Sequence, residues 1–412
     1  MPQTRDEYRR PGRDAYPPTG ALVSVAAMRR LLLLVAMLVF VDTMLFAVLT
    51  PLLPHFSHEF GLSKSRAGTL VAAYAAGALV SGLPGGVAAA RLGPRRAVLV
   101  GLTLMGLSSL GFAFAGGFWT LFAARFAQGC GSGFTWAGAL AWMLAAAPRE
   151  RRGELMGSAL GAAVFGALLG PVIGAAAALL GRGPVFSALA VLAVVLAVWA
   201  LRLDTAPAEQ PSAAAILRAL RHRQFLGGLI VMSVASLLLG ILSVLAPLHL
   251  GAAGWGAGAI GAVWLTSAGF EAVQAPFVGR WSDRSGRLLP VRVSLGAGIA
   301  IALGLAADGR PLFYAPLVVI AGIVWGALFT PAFALIADGA EAVGLPQGMA
   351  FGFMNAAWAL GAVAGPAAGG AIAGATSDWI PFVLAAVVCA GGLVFARSKH
   401  ESAAALAHDG GA

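Results

Sequence analysis

A glycine–proline spacing that occurs twice constrains this chain more than any other feature. Gly157, Gly166, Gly170, Pro171 and Gly174 fit the pattern G-x8-G-x3-G-P-x2-G, and Gly352, Gly361, Gly365, Pro366 and Gly369 repeat it, each about 195 residues later. Both copies lie inside long apolar runs. Glycines at i, i+4 and i+8 share one helix face and let a neighbouring backbone approach closely. The proline removes one backbone hydrogen bond and permits a bend. Small-residue packing accounts for any one of these glycines. The whole spacing, recurring at a fixed offset, points to internal duplication.

Composition sets the medium. With 59% apolar and 11% charged residues over 412 positions and a mean hydropathy of +0.86, the chain does not fit a soluble globular protein. Runs of roughly 20 apolar residues, the length that crosses a bilayer, recur along it. They predict an all-α integral membrane protein of twelve transmembrane helices, at about 29–54, 68–90, 96–116, 119–146, 154–180, 184–201, 225–250, 258–281, 290–307, 312–337, 348–373 and 379–396. These divide into an N-terminal six-helix bundle over 29–201 and a C-terminal one over 225–396, pseudo-symmetric halves joined by a linker over 202–224. Pro207, Pro211 and the basic Arg218, Arg221 and Arg223 mark that linker, whose alanine-rich middle suits a short amphipathic helix on the membrane surface. Residues 1–28 and 397–412 are read as tails. The first apolar run is too long and continuous for a cleaved signal peptide, so it is expected to stay as helix one.

Basic residues are held on the cytoplasmic side of membranes. Arg91, Arg95 and Arg96 follow helix two, Arg149, Arg151 and Arg152 follow helix four, and Arg280, Arg284, Arg287 and Arg292 surround the turn after helix eight, whereas the opposite loops offer Lys64, Arg66, Arg182 and Arg310. Both termini are therefore expected inside. The arginines sit in separate short turns, which argues for topology and against nucleic-acid binding.

Four motifs give the chain a resemblance to the major facilitator superfamily and, within it, to the twelve-helix drug:proton antiporters. The glycine–proline pattern is similar to that group's antiporter motif, with Ala175 where a second terminal glycine is usual and with both Gly369 and Gly370 kept in the second copy. Gly279, Asp283, Arg284, Gly286 and Arg287 resemble the cytoplasmic loop motif G-x3-D-R-x-G-R. The turn after helix two repeats it with Gly86, Arg91, Gly93 and Arg95, but Ala90 stands where an aspartate is expected. Arg125, Gln128, Gly129 and Gly131 resemble R-x2-Q-G-x-G, and Asp42 with Pro51 and Pro54 resembles the ending of helix one in many drug antiporters. The resemblance implies the major facilitator fold, alternating access and a monomer. It makes the loop residues a cytoplasmic gate in which Asp283 and Arg284 pair across the interface between halves. Retention of topology is the plainer reading of Arg95 and Arg96.

Charges inside the spans are few. An aspartate at mid-helix costs about 2.5–3.5 kcal/mol to insert, so Asp42 is expected to be functional, as a proton-coupling site or counter-ion, with a structural hydrogen bond as the alternative. Glu271 is a second buried acid, with Gln274 one turn along the same face, and is expected to serve in coupling or substrate binding. Arg125 needs a carboxylate, a carbonyl or a substrate anion, and with Gln128 it is expected to face the cavity and take part in coupling. Asp338 reads as a helix-end residue, and Asn355 either lines the cavity or bridges helices. Tyr74, Phe134, Trp136, Trp264, Trp325 and Trp358 lie within spans and suit flat or amphipathic compounds or a lipid-facing role. Glycines 166, 170 and 174 are expected to press helix five against the other half and seal the cavity on one side, with helix eleven doing the same.

Cys130 and Cys389 lie in opposite halves and suggest neither a disulfide nor a metal site. His55 and His58, at i, i+3, read as a solvated loop before a weak metal site. No phosphate-binding glycine–lysine loop is present, so a proton gradient and not ATP is the expected energy source, with no cofactor. No constellation supports enzymatic hydrolysis. The expectation is a bacterial cell-membrane transporter that exports small hydrophobic or cationic compounds in exchange for protons. A sugar or other polar metabolite as substrate, or a non-transporting sensor with the same fold, are the alternatives.

Overall fold

The computed structural model describes residues 25–146, 152–204, 213–307, 310–345 and 347–409. The chain forms α1 (Val25–Ala47), a short 3-10 turn (Thr50–Leu52), α2 (Leu53–Glu59), α3 (Lys64–Leu92), α4 (Pro94–Ala113), α5 (Phe118–Ala146), α6 (Arg152–Leu180) and α7 (Arg182–Leu201). It continues with α8 (Ala213–Ala219), α9 (Arg223–Ala252), α10 (Ala257–Ser285), α11 (Leu288–Ala307), α12 (Pro311–Gly326), α13 (Phe329–Ala342), α14 (Gln347–Ala375) and α15 (Trp379–Asp409). There is no strand among the described residues. The sequence-predicted N-terminal tail falls outside the described residues up to position 24, as do Arg149, Arg151, Pro207 and Pro211. On the C-terminal side, α15 runs past the expected span end and stays helical to Asp409.

Ten helical stretches among the described residues are long and apolar enough to cross a membrane. The two predicted spans outside that set are α5 and α10, each 29 residues long. Both carry polar residues along their length: Arg125, Gln128, Ser132 and Thr135 are buried on α5, and α10 holds Thr266, Ser267, Glu271 and Gln274. These polar residues lower the mean hydropathy of both helices, which keeps them out of the set chosen by apolarity.

Local chemistry sets the helix ends. Ser63 caps α3 by accepting the Arg66 N–H at 3.3 Å, and Pro94 and Pro311 start α4 and α12, where no N–H is needed. The turns after α3 and α10 both reverse through a glycine at positive φ, Gly93 at 94° and Gly286 at 85°. A side chain is strained in that region, which explains the second glycine of each loop motif.

The two glycine stripes pack within their own halves, and this corrects the expected role. Gly166 lies against the Phe40 carbonyl and Thr43, Gly170 against Ala47 and Met44, and Gly174 against Val48 and Pro51, all of the first crossing. Gly361 and Gly365 meet Ser233 and Leu237 of α9, and Gly369 meets Ile241. The stripes thus clamp α6 to α1 and α14 to α9, the equivalent helix pair in each half. Contact with the opposite half falls on other residues. Gly68 of α3 abuts Pro366 and Gly370 of α14, Gly261 of α10 abuts Pro171 and Ala175 of α6, and Gly251 of α9 abuts Pro54. These contacts gather at one end of the molecule, where Lys64 Nζ also bonds Asp378 Oδ1 at 2.5 Å. At the opposite end, a Cβ at Gly157 or Gly352 would meet open space.

Candidate functional site

Asp42 and Arg125 come together inside the first half without pairing directly. Asp42, at 2% exposure, accepts hydrogen bonds from Tyr74 Oη at 2.8 Å, Ser132 Oγ at 3.0 Å and Trp136 Nε1 at 2.6 Å. All three donors are neutral. They come from α3 and α5, and Ser132 and Trp136 share a face because they are four residues apart on a helix.

Arg125 is 1% exposed, which corrects the expectation that it faces the cavity. Its Nη1 donates to the Leu45 carbonyl at 2.5 Å and Gln128 Oε1 at 2.7 Å, and its Nη2 to the Phe46 carbonyl at 2.5 Å. The cause lies in the first crossing. The helix α1 ends at Ala47 and resumes through a tight turn with Pro51 and Pro54. Carbonyls in the last turn of a helix lack intrahelical donors, and they carry the negative end of its dipole. Arg125 takes them as its partners. The guanidinium also lies 4.7 Å above the Tyr74 ring, so Tyr74 stands between the two charges. Among the described residues, Arg125 Nε and Gln128 Nε2 are buried donors without a partner.

Glu271, in the second half, is placed differently. Its carboxyl lies against the backbone of Gly326, where a Cβ would fall 2.6 Å from Cδ, at the break between α12 and α13. It is partly buried and has no hydrogen bond or ion pair among the described residues. Gln274 is turned to the Ile323 carbonyl at 2.6 Å. Asn355 of α14 is likewise partly buried and without a described partner. Toward the open end an apolar cavity of about 300 Å³ lies between Leu160 of α6 and Thr330, Phe333, Phe351 and Met354 of α13 and α14.

The loop motifs sit apart from these groups. Arg287, in the turn between α10 and α11, pairs with Asp283 of α10 and, through Nε, with Asp338 Oδ2 of α13 at 3.0 Å. Gln224 also reaches Asp338 at 3.4 Å. The expected pairing of Asp283 across the halves is therefore replaced by a cluster within the second half, because Arg287, four residues on, takes the Asp283 carboxylate and Asp338 of α13 completes the cluster. Arg284 is exposed. In the first half Arg95 Nη1 donates to the Leu203 carbonyl at 3.2 Å and Arg91 is exposed. Gly86 has open space around it, and Gly279 stands 3.7 Å from Thr330. Among the described residues no group of three or more His, Cys, Asp and Glu side chains could hold a metal ion; His55 instead lies 3.5 Å from Glu59.

Sequence reasoning had Tyr74, Trp136 and Trp358 only as aromatic residues within spans. Ser132, Phe46 and the Lys64–Asp378 pair were missed. A signal for Ser132 and Trp136 existed in their helical register with Arg125 and Gln128. None existed for a pair such as Lys64 and Asp378, 314 residues apart.

A helical membrane protein with a duplicated helix pair, a broken first crossing and charges buried beside it defines a transporter-like class. The Major Facilitator Superfamily model matches residues 35–348, and the chain belongs to that family of transporters. Its relatives include the uncharacterized MFS-type transporter YcaD of Escherichia coli O7:K1, 27% identical over 304 residues, which cover 73% of this chain and 78% of the relative. A tetracycline resistance protein, class D, of Salmonella ordonez is 40% identical over 114 residues, 28% of each chain. Among solved structures, a bacterial homologue of the human lysosomal transporter Spinster, inward-facing and unoccupied, aligns with a TM-score of 0.72 at 13% identity over 90% of this chain and 97% of its own. A POT family transporter in complex with a thioalcohol-conjugated peptide aligns with a TM-score of 0.72 at 15% identity, over 90% and 96%. These likenesses concern the fold.

Proposed function

We propose that this transporter exchanges protons for small hydrophobic or cationic compounds, and that Asp42 is the coupling carboxyl. The observation that carries the reading is the environment of Asp42: a carboxyl with 2% exposure, held by three neutral donors and kept from Arg125 by Tyr74. An acid inside a membrane protein is costly to keep and marks proton and ion pathways. One that is solvated by neutral donors, and not tied up in an ion pair, can be charged or neutral without breaking a salt bridge. The partial likeness to a tetracycline resistance protein supports drug export as the substrate class.

In this reading the halves rock about the cleft between them. The arginine-rich turns face the cytoplasm, both termini lie inside, and the protein works as a monomer in a bacterial cell membrane without a cofactor. The conformation described is then sealed outside, at the Lys64 end, and open inside. Glu271 and Asn355, partly buried and without partners among the described residues, are the substrate-facing groups, with the 300 Å³ apolar cavity beside the route.

The test is reconstitution in vesicles with an imposed proton gradient, following luminal pH as tetracycline, lipophilic cations, neutral drugs and sugars are added. Proton movement evoked by a compound and lost in Asp42→Asn supports the assignment. Movement unchanged in Asp42→Asn rejects it, and movement evoked by sugars alone rejects the substrate class.

A further inference from the structure

Phe46 is the last residue but one of α1 and touches three things at once. Its carbonyl accepts Arg125 Nη2 at 2.5 Å. Its ring stands 5.4 Å from the Tyr74 ring, whose hydroxyl donates to Asp42. The same ring meets Trp358 edge-on, at 5.0 Å and 69°. Trp358 belongs to α14, in the other half of the chain and on the helix that carries the second glycine–proline motif.

We infer that Phe46 is a positioning residue that passes the charge state of Asp42 to the second half, with Trp358 as the residue that receives it. This rests on the reading of Asp42 as the coupling carboxyl. Arg125 is anchored on the freed carbonyls of Leu45 and Phe46, and the carboxyl of Asp42 acts on it from the far side of Tyr74. A neutral Asp42 leaves the guanidinium on the carbonyls. A charged Asp42 attracts the guanidinium across the Tyr74 ring and weakens its hold on the carbonyls of the broken turn, which must then find other donors. The chain at Phe46 moves with them, and its ring moves against Trp358. Packed contacts of this kind shift between discrete arrangements and do not yield continuously.

The groups that face Asp42 limit the source of any pH response. Tyr74 comes from α3 and Arg125 from α5. Residues 157–180 of α6, 183–201 of α7 and 347–375 of α14 contain no charged or titratable side chain. Glu271 of α10 lies against Gly326 instead.

The experiment uses the full chain in lipid nanodiscs, with Cys130 and Cys389 replaced by alanine and spin labels on His58→Cys and Ser377→Cys, exposed sites flanking the sealed end in opposite halves. Distance distributions between the labels are recorded across a pH series. The unaltered background should show a pH-dependent separated population, and Asp42→Asn should not. Phe46→Leu and Trp358→Leu should each reduce the response at least fivefold, and the double variant no further than either. Trp358→Phe, which keeps an aromatic edge, should restore most of it, and Phe165→Leu, 68% exposed on α6, should leave it unchanged. A full response in Phe46→Leu and Trp358→Leu, with Asp42→Asn silent, overturns the inference and leaves Asp42 as the coupling group. A response that survives in Asp42→Asn, or is absent from the background, overturns both.

Discussion

The two halves repeat the same helix pair but treat their buried charges in opposite ways. In the first half, Asp42 and Arg125 are nearly inaccessible, and eight hydrogen-bond or ring contacts from α1, α3 and α5 fix them. In the second half, Glu271 and Asn355 are partly open and without described partners. The turns after α3 and α10 reverse the contrast: the second half ties Arg287 to Asp283 and Asp338, whereas the first, with Ala90 in the motif, ties Arg95 to a carbonyl. Duplication preserves the clamps between helices, which geometry demands twice. It does not preserve the chemistry, which is needed once.

The largest expected effect breaks what the halves share. Gly166→Val and Gly361→Val each drive a branched side chain into a backbone carbonyl, of Phe40 and Ser233 respectively. Overpacking typically costs about 1–3 kcal/mol, and more is expected where backbone must move. Both variants should lose folded yield by size-exclusion chromatography in detergent. Gly157→Val and Gly352→Val, facing open space, should keep it.

Next in size are changes that separate the halves. Trp136→Phe removes one donor from Asp42 at 2.6 Å, and a lost hydrogen bond to a buried polar group costs about 1–3 kcal/mol. It should impair proton-coupled uptake into inverted vesicles about tenfold. Gln274→Ala, which frees only a carbonyl beside Glu271, should change uptake less than threefold.

The Lys64–Asp378 pair joins the halves at the sealed end with both partners near 42–43% exposed. Exposed pairs contribute about 0.2–1 kcal/mol after screening. Lys64→Asp should therefore raise cysteine accessibility at that end by a fewfold, and the swap Lys64→Asp with Asp378→Lys should reverse the change. The smallest effect is expected at the turns. Arg287→Ala removes two ion pairs and should lower thermal stability by a degree or two more than Arg95→Ala, measured on the purified protein.

The fold was legible because apolar length and a duplicated spacing are one-dimensional quantities. Gly166 and Gly361 sit 195 residues apart in equivalent helices. Their partners were not legible, since a spacing says that a helix has a narrow face and not which neighbour fills it. For the site, Asp42 and Arg125 stood out by their cost in an apolar run. The break in α1 decided where Arg125 points, and Pro51 and Pro54 marked that break, but the freed carbonyls became partners only once α5 was packed beside them. Asp283 was misplaced for a similar reason: its motif specifies the turn, while Asp338, which completes the cluster around Arg287, comes from α13, outside the motif.

The central contrast, a closed coupling site in one half and an open ligand site in the other, is tested most directly by comparing Asp42→Asn with Glu271→Gln in the same vesicles. Two rates are followed for the compound that evokes proton movement in the unaltered protein: uphill accumulation driven by a proton gradient, and downhill exchange without one. Asp42→Asn should abolish accumulation and retain exchange, whereas Glu271→Gln should lose both. Exchange lost in Asp42→Asn and kept in Glu271→Gln would contradict the account.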